Sequence, residues 1–357
     1  MHIIQAKQCL KAYIQAGIPT FLEGPPGVGK SDITYQVSDE LSAYLVEERA
    51  STLESIDMRG LPFVYNIGNL ASALAGAHAD KVQSILDQME VYAGPTVQWA
   101  KPHWLDELER APAEQLKILF LDELVQASLA VQVACFQLVW NGRIGPHKLP
   151  PHTIVVAAGN RQADRAGANR MPTALANRFG HIDVEVDSDT WQKWANVNGI
   201  EPLLCAFLKF RPASLHRMPE GNVKAFPSPR SWVQVAKILH AADDIRPKLI
   251  EGLVGEGDAA ELEKFIQMYK HLPSFAEIIA RPQTVAVPTQ PDIQHAVASM
   301  LSRKADRTNF DAICVYAGRL PKEFEVSLVS EAVQRDAGLK TTKGFIAWAS
   351  RNSDITI

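Results

Sequence analysis

The chain has 357 residues, more than one compact core usually takes, so two domains are expected. Hydrophobic residues make up 46% and charged residues 21%, which excludes a mostly disordered chain. With 36 Lys+Arg against 40 Asp+Glu the net charge is -4, so the basic excess of a dedicated nucleic-acid binder is missing.

Cys9, Cys135, Cys205 and Cys314 lie far apart and form no CxxC pair, which disfavours a disulfide framework or a zinc ribbon. The first residues lack the basic and apolar regions of a signal peptide, and no apolar run reaches the roughly 20 residues that span a bilayer. The expectation is a cytoplasmic protein without a membrane anchor.

The first half alternates short apolar runs with helical patterns, as a parallel sheet flanked by helices does. Residues 3–16 predict a helix, with Ile4, Leu10 and Ile14 among its apolar positions. Thr20–Glu23 predicts a short buried strand. A Gly/Pro loop follows, then a helix from about Gly29 on which Ile33, Val37 and Leu41 recur every fourth residue. Further strands are expected at 43–49, 117–122, 153–158 and 181–186, with a helix over 127–140 closed by Asn141-Gly142. Beyond about Asp187 helical periodicity dominates, at 190–210, 230–245, 258–270 and 290–303. Prolines at 212, 227, 229, 273 and 282 break it, and 282–292 is the best linker candidate. The layout divides the chain into an α/β core, 1–187, and a helical region, 188–357.

Gly24-Pro25-Pro26-Gly27-Val28-Gly29-Lys30-Ser31 matches G-x-x-x-x-G-K-[ST] between a predicted strand and a predicted helix. Glycines let backbone N–H groups turn inward around phosphate oxygens. Lys30 can reach the β- and γ-phosphates, the Ser31 hydroxyl can ligate Mg²⁺, and the helix adds its positive end. About 90 residues on, the apolar strand Ile118–Leu121 ends in Asp122-Glu123, where an open α/β sheet has its ligand crevice. Asp122 is expected in the Mg²⁺ shell, and Glu123 is expected to polarise the attacking water.

Asn160 follows the fourth strand and could hydrogen-bond the γ-phosphate or its water. Arg178, just before the fifth strand, can act on a nucleotide only across a subunit boundary; Arg161, Arg165 and Arg170 are its rivals. Arg230 sits in the first turn of a helix opened by Ser228-Pro229, where the dipole disfavours a cation. That misfit suggests a ligand role.

These elements in this order resemble the MoxR-like group of AAA+ ATPases. The resemblance is carried by Leu22–Ser31, Phe120–Glu123, Ala158-Gly159-Asn160, Leu175–Phe179 and Ser228-Pro229-Arg230. Asp57–Pro62 and Trp99–Pro102 also look like the stretch that this group carries between its second and third strands. The resemblance covers residues 3–245. It implies a five-stranded parallel sheet ordered 5-1-4-3-2, a helical lid and a hexameric ring with ATP at each subunit boundary. It also implies a protein client, often one with a von Willebrand A or metal-binding domain. Residues 142–150 match the place of the group's hairpin. The chain departs from the group at Leu124-Val125-Gln126, where Ile-Asn-Arg is typical, and carries an apolar insertion at 67–93 that is more readily extra core than a partner contact.

The leading reading is therefore an ATP-driven machine that remodels a protein partner. A nucleic-acid motor, or the NTP-driven subunit of a restriction-type system, is the alternative. A nucleotide-dependent scaffold without turnover is disfavoured by Glu123. Among other candidates, His147 and His152 lack the further ligands of a metal site. Trp191, Trp194 and Phe207 read as lid core, and Ser231 has no nearby histidine to make it a nucleophile.

Overall fold

The computed structural model describes residues 1–65, 96–161, 169–219, 221, 223–270 and 273–352, and it falls into two compact units, Met1–Glu185 and Val186–Ile357. The insertion at 67–93 and Arg165 lie outside the described residues.

In the first unit α1 (Ile3–Gln15), β1 (Thr20–Glu23), α2 (Lys30–Glu40) and β2 (Tyr44–Arg49) alternate. The short α3 (Ser55–Arg59) leads into an antiparallel ribbon of β3 (Pro62–Tyr65) and β4 (Thr96–Trp99). Next come α4 (His103–Arg110), β5 (Lys117–Asp122), α5 (Leu129–Asn141) and a hairpin of β6 (Arg143–Ile144) and β7 (His147–Lys148). The unit closes with β8 (Thr153–Gly159), α6 (Thr173–Ala176) and β9 (Gly180–Asp183). The main sheet is parallel throughout and ordered β2-β5-β8-β1-β9. Counting only these five strands, that is the expected order 5-1-4-3-2.

The central strand β5 is buried on both faces, which explains its unbroken apolar run. Leu119 and Leu121 join Phe21, Val155 and Ala157 in a core with Met58, Trp104 and Leu138 from α3, α4 and α5. On the other side α1 packs on β1 and β9, and α2 packs on β2, β5 and β8. Ala6, Leu10 and Ile14 form the buried face of α1, and Ile4 is exposed instead, because the four-residue spacing starts from Ala6. Lys117 opens β5 fully buried. Its ammonium is held by backbone carbonyls of Pro112, Ala113, Gln115 and Pro151 at 2.8–3.3 Å. The strand expected at 181–186 stops at Asp183, since β1 turns away after Glu23 and only Val184 still donates to the Glu23 carbonyl.

The second unit is helical. The periodicity over 190–210 is two helices, α7 (Ser188–Val197) and α8 (Pro202–Phe210), because Gly199 takes φ 67° and Pro202 starts a new helix. They are followed by α9 (Pro229–Ile238), α10 (Arg246–Val254), α11 (Glu256–Lys270), α12 (Phe275–Ala280), α13 (Pro291–Lys304), α14 (Phe310–Ala317), α15 (Lys322–Arg335) and α16 (Lys343–Arg351). Two apolar cores divide these helices. One holds Trp191, Phe207, Trp232 and Phe265, the other Phe310, Tyr316, Leu328 and Trp348. Helix α13 gives Ala296 to the first and Val297 and Leu301 to the second. The expected linker is instead packed: Val285 and Val287 lie against the second core, and the Tyr316 hydroxyl donates to the Ala286 carbonyl at 3.2 Å. Trp191 and Phe207 are core as expected. Trp194 is 40% exposed, touching Trp191 at the core's edge.

His295 of α13 packs edge-on to the Phe324 ring, and its Nδ1 is buried without a hydrogen-bond partner among the described residues. Burial, and then the positive charge of Lys209, push its pKa from 6.5 down to about 4. The unfolded chain therefore binds a proton between about pH 6.5 and 4 that the folded chain refuses, so acidification through this window lowers stability. The loss is at most about 3 kcal/mol. Thermal melting is expected to drop less from about pH 7 to about pH 5 in His295→Gln than in the wild type; equal drops would rule His295 out as the cause.

Candidate functional site

Parallel pairing of β1 with β8, and of β8 with β5, sets Glu23 beside Gly159 and Leu121 beside Ala157. The residues that end or follow these strands therefore lie along one edge of the sheet. They are Gly24, Asn160 and Asp122-Glu123.

The loop from Gly24 to Ser31 depends on its glycines. A Cβ on Gly24 would sit 2.6 Å from the Val184 carbonyl oxygen, and Gly27 and Gly29 take φ 76° and 100°. Gly29 is the N-cap of α2 and offers no side chain to its first N–H groups. The positive end of α2 thus faces the loop.

Lys30 is buried, and its ammonium donates to the Gly24 carbonyl at 2.7 Å, the Pro25 carbonyl at 2.9 Å and Asn160 Oδ1 at 3.0 Å. Ser31 Oγ donates to Asp122 Oδ2 at 2.9 Å, while Asp122 Oδ1 accepts the Glu123 N–H at 2.8 Å. Glu123 is held at φ 58°, a left-handed conformation that costs a non-glycine residue roughly 1–2 kcal/mol. Its carboxylate accepts a hydrogen bond from Ser51 Oγ. Side-chain bonds thus tie the phosphate loop to β8 through Lys30 and Asn160, to β5 through Ser31 and Asp122, and β5 to the end of β2 through Glu123 and Ser51.

Five of the expected residues, Lys30, Ser31, Asp122, Glu123 and Asn160, are brought together. Ser51 escaped the sequence analysis. It belongs to no motif, and its position is set by the pairing of Arg49 with Asp122, which puts the two chain ends side by side. The hydroxyl of Ser31 and the carboxylate of Asp122 are hard oxygen donors. Among the described residues no cluster of His, Cys, Asp and Glu could enclose a metal. That donor set fits Mg²⁺, which keeps several waters and takes few protein ligands.

Arg178 lies outside this network. Its guanidinium is centred 4.3 Å from the Trp140 ring and 5.1 Å from the Phe136 ring, and Nη1 donates to the Ala174 carbonyl at 3.3 Å. Among its rivals, Arg161 is bonded to the Val184 carbonyl and lies 3.7 Å from Asp183, and Arg170 is exposed. Leu124 and Val125, where the chain departs from the MoxR-like pattern, are buried in the core. In the second unit Arg230 is exposed in the first turn of α9. Ser231 bonds reciprocally with Ser228 to cap that helix, an ordinary use of its hydroxyl.

Residues 20–186 match the family described as ATPase family associated with various cellular activities (AAA). No curated protein matches the chain in sequence. Among solved structures, the RuvB Holliday junction branch migration motor of Thermotoga maritima is 14% identical, with TM-score 0.35, over 83% of this chain and 79% of that one. NtrX of Brucella abortus, solved with ADP, is 13% identical, with TM-score 0.40, over 98% of this chain and 67% of that one. Likenesses this distant transfer neither substrate nor partner. The family match begins at the first residue of β1 and takes in the phosphate loop, both acids and all five strands of the main sheet. Residues 20–186 are an AAA-family ATPase domain, and the chain is a P-loop NTP hydrolase.

Proposed function

We propose that this chain is a ring-forming remodelling ATPase of MoxR type, hexameric, which spends ATP on a protein client with a von Willebrand A or metal-binding domain. The observation that carries the ATPase chemistry is the network joining Lys30, Asn160, Ser31, Asp122 and Glu123 at one sheet edge. Two further features support the MoxR type. The stretches 57–62 and 99–102, far apart in sequence, lie paired. Pro62 faces Trp99, the Ala100 N–H bonds the Leu61 carbonyl, and Gly60 passes so close to Ala100 that no side chain fits. The hairpin β6–β7 stands where the group carries one.

In this reading the loop amides and Lys30 bind the phosphates, with Lys30 turning from its carbonyl and amide partners toward the β- and γ-oxygens. Ser31 and Asp122 would hold Mg²⁺, which neutralises charge on those oxygens when bound. Glu123 orients a water and takes its proton as the oxygen attacks the γ-phosphorus. The bond to the bridging oxygen breaks, and ADP and phosphate leave. Asn160 steadies the γ-phosphate side. Arg178 reaches the phosphates of a neighbouring subunit, and Arg230 couples the helical unit to the nucleotide.

Glu123→Gln is expected to keep nucleotide binding and lose turnover by about 10²–10⁴, the usual worth of a general base. Lys30→Ala is expected to lose binding itself. Fluorescent-nucleotide titration and steady-state hydrolysis measure both; a wild-type rate in Glu123→Gln would remove it from the mechanism.

Mixing Arg178→Ala with Lys30→Ala subunits is expected to restore part of the activity, since some interfaces then pair an intact phosphate site with an intact arginine. If mixed rings form and no ratio exceeds the sum of the two parents, Arg178 does not act in trans.

Client class is read from stimulation. A von Willebrand A-domain protein captured on Glu123→Gln rings with ATP is expected to raise wild-type hydrolysis. Stimulation by DNA instead would favour the nucleic-acid motor.

A further inference from the structure

Among the described residues no carboxylate pairs with Arg178, and its Nε is buried with no hydrogen-bond partner. Besides the bond from its Nη1 to the Ala174 carbonyl, what holds it is aromatic. Phe136 and Trp140 lie four residues apart, on one face of α5, and both rings lie within cation–π distance of the guanidinium. The same face continues to Val133 and Leu129, seven and eleven residues before Trp140. Leu129, Val133 and Trp140 are 63%, 51% and 61% exposed, although all three are large and apolar.

Each alternative anchor would behave differently. A carboxylate would orient the guanidinium but neutralise its charge. Water would leave the charge intact and the long side chain free to wander. A ring face does neither: it restrains the side chain and leaves the positive charge uncompensated. An arginine whose task is to meet phosphate charge arriving from another molecule needs both properties, since restraint in advance removes the entropic cost of ordering at the moment of reaction.

We propose that Trp140, together with Phe136, is the positioning platform for Arg178, holding its guanidinium ready for the nucleotide of a neighbouring subunit. The proposal rests on the reading of Arg178 as a trans-acting arginine. Trp140 touches neither substrate nor reacting atoms; it acts through the arginine.

The test uses the full chain at a concentration where the wild type is assembled, with size checked by sedimentation and turnover expressed per assembled subunit. Trp140→Leu keeps the apolar bulk and removes the ring face; Trp140→Phe keeps a ring. Trp140→Leu is expected to lower kcat about two- to fivefold, the scale of a cation–π contact at an exposed site, and to leave KM for ATP unchanged. Trp140→Phe is expected to recover most of that loss. The double variant Trp140→Leu/Arg178→Ala is expected to be no slower than Arg178→Ala alone, because a platform has nothing to position once the arginine is gone. The proposal is overturned if Trp140→Leu turns over at the wild-type rate while Arg178→Ala does not, in which case the arginine keeps its role without a platform. It is also overturned if the two losses add in the double variant, if Trp140→Phe is as slow as Trp140→Leu, or if Trp140→Leu disperses the assembly. If Arg178→Ala itself hydrolyses ATP at the wild-type rate, the trans-acting reading fails, and the platform fails with it.

Discussion

The Lys30 ammonium lies where three chain segments meet, and its position depends on parallel strand pairing. Its acceptors are two carbonyls of the loop after β1 and one amide at the end of β8. A shift of one residue between β1 and β8 would carry Asn160 away from the lysine and turn its side chain to the opposite face of the sheet. Packing on both faces of β1, β5 and β8 resists that shift, because Phe21, Leu119, Leu121, Val155 and Ala157 fill one core and a one-residue slip would put in their place the side chains that pack on the other face. Register, and with it the cluster of polar groups at the strand ends, is therefore held by packing on the faces of the sheet.

The same edge concentrates conformations that the chain adopts nowhere cheaply. Gly24 has the Val184 carbonyl where a Cβ would go, and Gly27 and Gly29 turn the loop with positive φ. Glu123, which has a side chain, is nevertheless left-handed. The bonds from Ser51 to its carboxylate and from its N–H to Asp122 secure that conformation. Strain at Glu123 is thus tolerated because Asp122 at the end of β5 and Ser51, just past the end of β2, hold it.

The helical unit solves a different problem. The ten helices among its described residues, of 6 to 15 residues each, divide between two cores, and α13 stands between them, contributing residues to each. The buried Arg246, bonded to Asp243 and bidentate to Glu263, ties α10 to α11. Removing Glu263 would break the bidentate pair and leave the buried guanidinium with only the exposed Asp243 as its acidic partner.

Much of this architecture is legible in the residues themselves. The glycine spacing before Lys30-Ser31, the apolar run ending in Asp122-Glu123 and the five apolar strands specify local conformation. Local conformation depends on near neighbours in sequence, so a parallel sheet and a phosphate loop could be read directly. Other features are contacts across the chain. Ser51 meets Glu123 only because Arg49 pairs with Asp122, the 57–62 and 99–102 stretches meet only through the β3–β4 ribbon, and Arg178 finds Trp140 across 38 positions of sequence. Likewise, 282–292 has the composition of a linker, but the apolar side chains of Val285 and Val287 find a core to enter. Spacing along the chain carries the backbone's preferences; which side chains become neighbours is decided by register and packing between segments that are distant in sequence, and only the tertiary structure determines that.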